Sequence, residues 1–546
     1  MTRRFSRSRN GLTRRKVVHG AGALAVALAA PRFAFAQTPK RGGTLKISNG
    51  GDPPDFDLHQ SATYLTEFIG APCYSTLLRI DPNDYNKLVP DLAEKYDVSD
   101  DGKTITFHLR SGVTFHNGMP FTADDVVYSL DRIRQPPAGI VSPRKGLLGN
   151  VENVAAPDPL TVVVTLKQAQ PDFPFLVSNP YNVIVPKQVA RPLDASGQGM
   201  KRQIVGTGPF RLKTAVDGQL YEMERNDKYF GTPAYLDKLQ FFPIKGEIER
   251  AVAIQGKRID ACFFFPNESV LATLRKNPNV KELRRPTPTF VNLIPNVTRK
   301  PFDDVRVRQA LSLAIDRDAF VKTVGPLAGA YYHSRGLLLP DSPYSLSEAE
   351  VKQFAGYDTA PGLGGDIAAN RKKAMELLEQ AGVPKDFKIS MLTRADVPAF
   401  RDSSINVAAQ FKTIGLDATV DIRDPGAFYA LENKGDFQLV AHSVALSGAL
   451  PDQILGEGYT SYGGRNYGQW KDDAIDEMFR AQSRERDQAK RKELIHQFQL
   501  SFMKTFYQIN LAWVGYGVGY GTQVKGWNAL PDLYANMQLD MVWLDS

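Results

Sequence analysis

The chain has 546 residues, with 67 Lys and Arg against 59 Asp and Glu and a formal net charge of +8. Eight of those cations, Arg3, Arg4, Arg7, Arg9, Arg14, Arg15, Lys16 and Arg32, precede Gln37 with no acidic residue among them, so the rest of the chain balances at 59 against 59. A nucleic-acid role would need a basic face on the folded protein, and neither the balance nor any later basic run supplies one.

The amino-terminal segment carries its own pattern. TRRKVV at 13–18, the Ala/Gly-rich apolar run at 17–30 and Ala34-Phe35-Ala36 resemble a twin-arginine export signal with an A-x-A cleavage site. Residues 1–36 are expected to be a leader cleaved after Ala36. The apolar run is shorter than the roughly 20 residues a spanning helix needs, and no Cys follows the cleavage site to take a lipid anchor. The expected compartment is the periplasm. About 510 residues then remain, too many for one core and suited to two lobes. Only Cys73 and Cys262 occur, and an exported pair of this kind is open to two outcomes, a disulfide or two buried thiols.

Along the mature chain, the stretch 92–133 changes period twice. Asp100-Asp101-Gly102 predicts a turn. Thr104, Thr106, His108 and Arg110 then alternate with Ile105, Phe107 and Leu109, which predicts a strand with one apolar face. After FHNGMPF, Thr122 with Asp124 and Asp125 predicts a capped helix start, and Val126, Val127 and Leu130 continue the helix. Residues 135–149 and 340–365 read as Gly/Pro-rich surface loops. VGTGPFRL at 205–212 predicts a strand-edge turn, the alternation around Tyr221 and Met223 a strand, and GKRID at 256–260 an entry into another. PFDDVRVRQALSLAIDR at 301–317 predicts a helix with Val305, Ala310, Leu313 and Ala314 as its buried stripe. Two later helices should end at Gly382 and Gly415 before strands. Helices alternating with strands predict α/β packing.

These segments, in this order and over nearly all of residues 40–540, resemble the extracytoplasmic solute-binding proteins of family 5, the peptide, nickel and opine receptors of ABC importers. The resemblance implies a two-lobed periplasmic binding protein fold of α/β class with a hinge. The first lobe would span 37–290 and return at 511–546, with an extra subdomain at about 80–204, and the second lobe would span 291–510. Two crossovers, near 290–295 and 507–514, would form the hinge, and ligand would favour a closed form that the permease recognises. The implied partners are a small organic solute and the permease subunits with their ATPases. The membrane would be met only through the permease, and the chain would act as a monomer without a cofactor.

Catalytic motifs do not compete with this reading. The chain has no G-x-S-x-G elbow, Walker loop, H-E-x-x-H or paired C-x-x-C, and its seven His show no i, i+4 pairing. Asp124-Asp125 and Asp303-Asp304 have structural work as helix starts. An extracellular hydrolase with an interlobe cleft remains the alternative of a different class, since paired carboxylates need not be adjacent in sequence. A chaperone or adhesion role has no feature of its own.

The resemblance also indicates where ligand would bind. Peptide receptors of the family hold the α-amino group with an Asp before a Pro-rich turn. Here that position falls on Leu446, and the Trp often found upstream falls on Ser443. A buried ammonium without a carboxylate is costly, so opines and modified peptides fit better than plain peptides, with Asp452 as a substitute or a turn residue. Nickel receptors place a His after this Pro, where Asp452-Gln453 stand, so a metal site is not expected and a nickel-chelate receptor stays an alternative. Arg394 lies near the family's carboxylate-binding Arg, a task its fork suits, with Arg401 competing. Arg132 and Arg134 close the Thr122 helix as cleft residues or as dipole complements. Tyr64, Tyr462, Trp513 and Tyr516 are candidate aromatic walls or core residues.

Overall fold

The 92–133 segment folds as its periodicity dictates. Thr104–Leu109 is a strand with Ile105, Phe107 and Leu109 buried, after a turn in which Gly102 takes φ +71°. Ala123–Arg134 is a helix, and Asp125 accepts a bond from the Thr122 backbone N–H at 2.9 Å. In the computed structural model the described residues are 38–545, apart from 62, 265–267, 329, 334–335, 340–341, 386, 396–397, 446–449 and 529–536. The expected leader and Leu446 therefore lie outside them.

Thr104–Leu109 belongs to a four-stranded antiparallel sheet with Ala93–Val98, Thr161–Leu166 and Val151–Asp158. The helix Ala123–Arg134 packs Val126, Leu130 and Ile133 into that sheet's own hydrophobic cluster, which runs from Leu77 to Ile184. Among the described residues the largest sheet has eleven strands. At its centre Val280–Pro295 lies antiparallel to Ile509–Gly521. Ala261–Phe264, Thr44–Ser48, Lys238–Phe242, Leu220–Arg225 and Phe210–Val216 follow on one side. Leu439–Ala445, Lys388–Arg394 and Asp417–Arg423 follow on the other.

The two central strands change partners along their length. Ala261–Phe264 pairs with Ile509–Gly521 at Gly517 to Tyr520, whereas Leu439–Ala445 pairs with Val280–Pro295 at Thr289 to Pro295. Between the two zones the register shifts, at Pro286/Thr289 opposite Gly515/Val514. Separate hydrophobic clusters form on the two sides of this shift, one around Leu45, Phe68 and Phe241 and one around Leu311, Met391 and Phe411. The helix Val305–Ala314 corrects one expectation. Val305 is exposed at its first turn, whereas Ala310, Leu313 and Ala314 are buried as expected, together with Val307 and Leu311. Asp304 caps the helix by accepting from Arg306 N–H, which fixes the rotation that turns Val305 outward. Gly382 and Gly415, at φ +69° and +84°, end their helices as expected.

The VGTGPFRL turn docks backbone to backbone. Gly208 N–H donates to Cys73 O at 3.0 Å, and a Cβ at Gly208 would lie 2.5 Å from the Cys73 carbonyl carbon. Gly208→Ala should therefore cost about 1–3 kcal/mol, the range for overpacking a well-packed site, read as a lower midpoint in urea unfolding. Cys73 and Cys262 are two separate buried thiols. Burial pushes each up to about 12, which leaves both protonated at neutral pH.

Candidate functional site

Three strands on the Arg394 side of the sheet run parallel, since Lys388–Arg394 pairs in parallel with both Asp417–Arg423 and Leu439–Ala445. Their carboxyl ends gather at one edge, the place where open parallel sheets bind ligands. Arg394 is the last residue of its strand and is half-buried. The helix Pro425–Lys434, which follows the neighbouring strand Asp417–Arg423, is capped by Asp424 and brings Tyr429 beside Arg394. Arg394 Nη1 donates to the Tyr429 hydroxyl, and the guanidinium lies 5.0 Å from the Tyr429 ring and 5.7 Å from the Phe400 ring. Such stacking holds the plane of the guanidinium. Arg401 instead turns to Asp402, at 3.1 Å.

Behind Arg394 sits a buried polar group. Glu432, fully buried on the same helix, meets His442 Nδ1 at 2.8 Å. The His442 ring is packed edge-on against Phe400 and Phe428. Arg465 donates to Glu457 at 3.1 Å and to the Tyr467 hydroxyl at 2.8 Å. Ser443 lies on the neighbouring strand opposite Val291; its side chain is outside the described residues.

The aromatic candidates separate. Trp513 is fully buried and meets Phe290 edge-on at 5.0 Å. It is a core residue, with no face open to a solute. Tyr516 is buried in the cluster around Leu45, and Tyr64, half-buried at the start of the helix Tyr64–Gly70, packs on the same cluster and on Phe68. Tyr462 is 42% exposed.

Arg134, Asp452 and Tyr462 come together, although nothing in their spacing announced it. All three line a cavity of about 820 Å³ whose walls come from residues 134–176 and 452–484. Arg134 donates to Asp131 at 2.7 Å. Asp452 is almost wholly buried and accepts from Gln482 at 2.7 Å, Ser483 at 3.0 Å and Arg491 at 3.1 Å. Burial, reinforced by the charge of Asp172, lifts its carboxyl above the ordinary range despite Arg491. Asp452 is thus a helix-start residue tied into the fold rather than a free amine partner.

Sequence reasoning missed the Arg132 triad. The fully buried Arg132 guanidinium bonds Asp57 at 2.6 and 2.9 Å and Asp194 at 2.7 and 2.9 Å. It joins the helix Ala123–Arg134 to two distant segments and is fully buried. Among the described residues no group of His, Cys, Asp and Glu could hold a metal ion, and no helix is long and apolar enough to cross a membrane.

Comparison with known proteins adds a family to this geometry. The dipeptide-binding protein of Escherichia coli K12 is 28% identical over 485 residues, 84% of this chain and 86% of that protein. The glutathione-binding protein GsiB of Salmonella paratyphi A is 30% identical over 392 residues, 71% of each chain. The fold matches that of the ABC transporter-associated periplasmic binding protein DppA from Helicobacter pylori in complex with peptide STSA. The TM-score is 0.81 at 24% identity, over 93% of this chain and 99% of that one. The sequence profile of the bacterial extracellular solute-binding proteins, family 5 Middle, matches residues 87–466. With a parallel-strand edge carrying a stacked arginine, an α/β periplasmic binding protein fold and that match over most of its length, the chain belongs to the bacterial extracellular solute-binding proteins of family 5 and is a binding protein, not a catalyst.

Proposed function

We propose that this chain captures a peptide-like or other small carboxylated organic solute between two lobes and delivers it to the permease of an ABC importer. The observation that carries the reading is Arg394, a guanidinium held by two rings at the carboxyl ends of three parallel strands. A fork in that setting suits bidentate capture of a carboxylate. Ser443, near the end of the adjacent strand, is the hydroxyl proposed for a second contact, and Tyr64 is the ring proposed to face it across the central strands. The E. coli and Salmonella relatives are named for dipeptides and glutathione, and both ligands carry free carboxylates. The first lobe on this reading is 37–290 with 511–546, holding a subdomain at about 80–204, and the second is 291–510. The partner change along the two central strands is where they would flex.

The test is a thermal-shift screen of the purified chain against di- and oligopeptides, opines, amino-acid conjugates, sugars and nickel chelates. A ligand that binds only the folded state raises its melting temperature. A carboxylated class should be the one that stabilises. Hits confined to compounds without a carboxylate would remove Arg394 from the site, and turnover of a hit would remove the receptor reading.

Export through the twin-arginine route to the periplasm completes the proposal. Replacing Arg14 and Arg15 together by Lys keeps the charge and should leave full-length precursor in the cytoplasm, read by fractionation and immunoblot. Unchanged export would assign the leader to a different route.

A further inference from the structure

We propose that the 820 Å³ cavity between residues 134–176 and 452–484 is a second ligand site, one that takes a small amphiphilic anion such as an aliphatic or aromatic carboxylate. It shares no lining residue with the Arg394 cluster. The volume falls within the range of pockets that hold small organic ligands, roughly 300–1,000 Å³. Leu148, Leu176 and Phe479 give it buried apolar walls.

The charge on the lining is one-sided. Arg134, Lys145, Lys167, Arg480 and Arg484 all border the cavity. Asp131 pairs with Arg134, and Glu477 serves both Arg480 and Arg484. Lys167 meets only a carbonyl, that of Gly149 at 2.8 Å, and no described carboxylate lies within ion-pair distance of Lys145 or Lys167. Both lysines are exposed, so the excess cationic charge stands at the rim above apolar walls. The one lining carboxylate, Asp452, is held by Arg491 and its neighbours. An apolar interior under a cationic rim selects an apolar body with an anionic head.

The two walls of the cavity are joined directly by Arg491, which bonds Asp172 on one side at 3.0 Å and Asp452 on the other at 3.1 Å. They also meet backbone to backbone. A Cβ at Gly146 would lie 2.6 Å from Tyr462 O, and one at Gly464 would lie 2.2 Å from Pro143 O. On the lobe bounds proposed above the two walls belong to opposite lobes, so the cavity is complete in the closed arrangement and its ligand would favour that form.

The experiment is calorimetric titration of the full chain with decanoate, decanol and decyltrimethylammonium. Decanoate should bind saturably at one site, and the cation of equal chain length should not. The double variant Lys145→Glu, Lys167→Glu should weaken decanoate at least tenfold, and Ala169→Trp, which fills the cavity from a lining position, should abolish it. Equal binding of decanoate by these variants and the natural chain, or no binding at all, overturns the site. Loss of decanoate binding on Arg394→Ala, with the cavity variants unaffected, would place the probe at the strand ends and also overturn it. Failure of the Arg394 reading in the peptide screen leaves these outcomes unchanged, so the two proposals fail separately.

Discussion

Replacing Arg132 by Met should destabilise the protein by about 3–5 kcal/mol, the range for removing one partner of a buried ion pair. The side chains of Arg132, Asp57 and Asp194 are at most 2% exposed, so the substitution strands two carboxylates without solvent. Asp57 still has Gln60 and the Met200 N–H as donors, but neither carries charge. The penalty should depend on pH in a defined direction. Burial works to raise the Asp57 carboxyl, yet the Arg132 hydrogen bonds and charge outweigh it and hold it well below the usual carboxylate range. A depressed folded-state value contributes stability above the unfolded value, about 3.9, and loses it as pH falls through the folded one. Without Arg132, burial outweighs the uncharged donors that remain, and protonation then favours the folded state. The gap between variant and natural chain should therefore shrink as pH falls from 7 to 3, as measured by urea midpoints. Adding Asp57→Asn and Asp194→Asn to Arg132→Met should recover much of the loss at neutral pH. A penalty independent of pH would assign the role of Arg132 to packing alone.

On the proposed reading, Arg394→Ala should weaken a carboxylated solute by about 2–5 kcal/mol, the cost of truncating one side of a desolvated charge pair. That corresponds to roughly 30-fold to several thousandfold in Kd. Arg394→Lys should recover only part, because an ammonium keeps the charge but not the planar fork. Loss of the contacts to Tyr429 and Phe400 should lower the ligand-free melting point only slightly, since each such contact contributes about 0.5–2 kcal/mol. Titration calorimetry with the best compound from the screen decides the matter. A change in Kd below about threefold would free the carboxylate from Arg394.

Features that depend on neighbours in the chain were legible in the amino-acid order. The Thr104–Leu109 strand, the capped helix at Ala123, the turn at 205–209 and the glycine-ended helices all follow from periodicity and capping, which act over a few residues. The order of those pieces was enough to point to the family. Which face of an element meets which partner was settled by packing alone. Trp513 and Tyr516 sit in Ile509–Gly521, a strand buried on nearly every residue because it is paired and covered throughout. With no alternation left, its sequence cannot distinguish core from cleft. The Arg132 triad spans 75 and 62 residues, and an Arg near a helix end reads the same whether it complements a dipole or holds two buried carboxylates. Arg134, Asp452 and Tyr462 share a cavity because two segments, 134–176 and 452–484, far apart in the chain fold against each other. Local pattern carries no information about such meetings, since they are fixed by packing across the chain rather than along it.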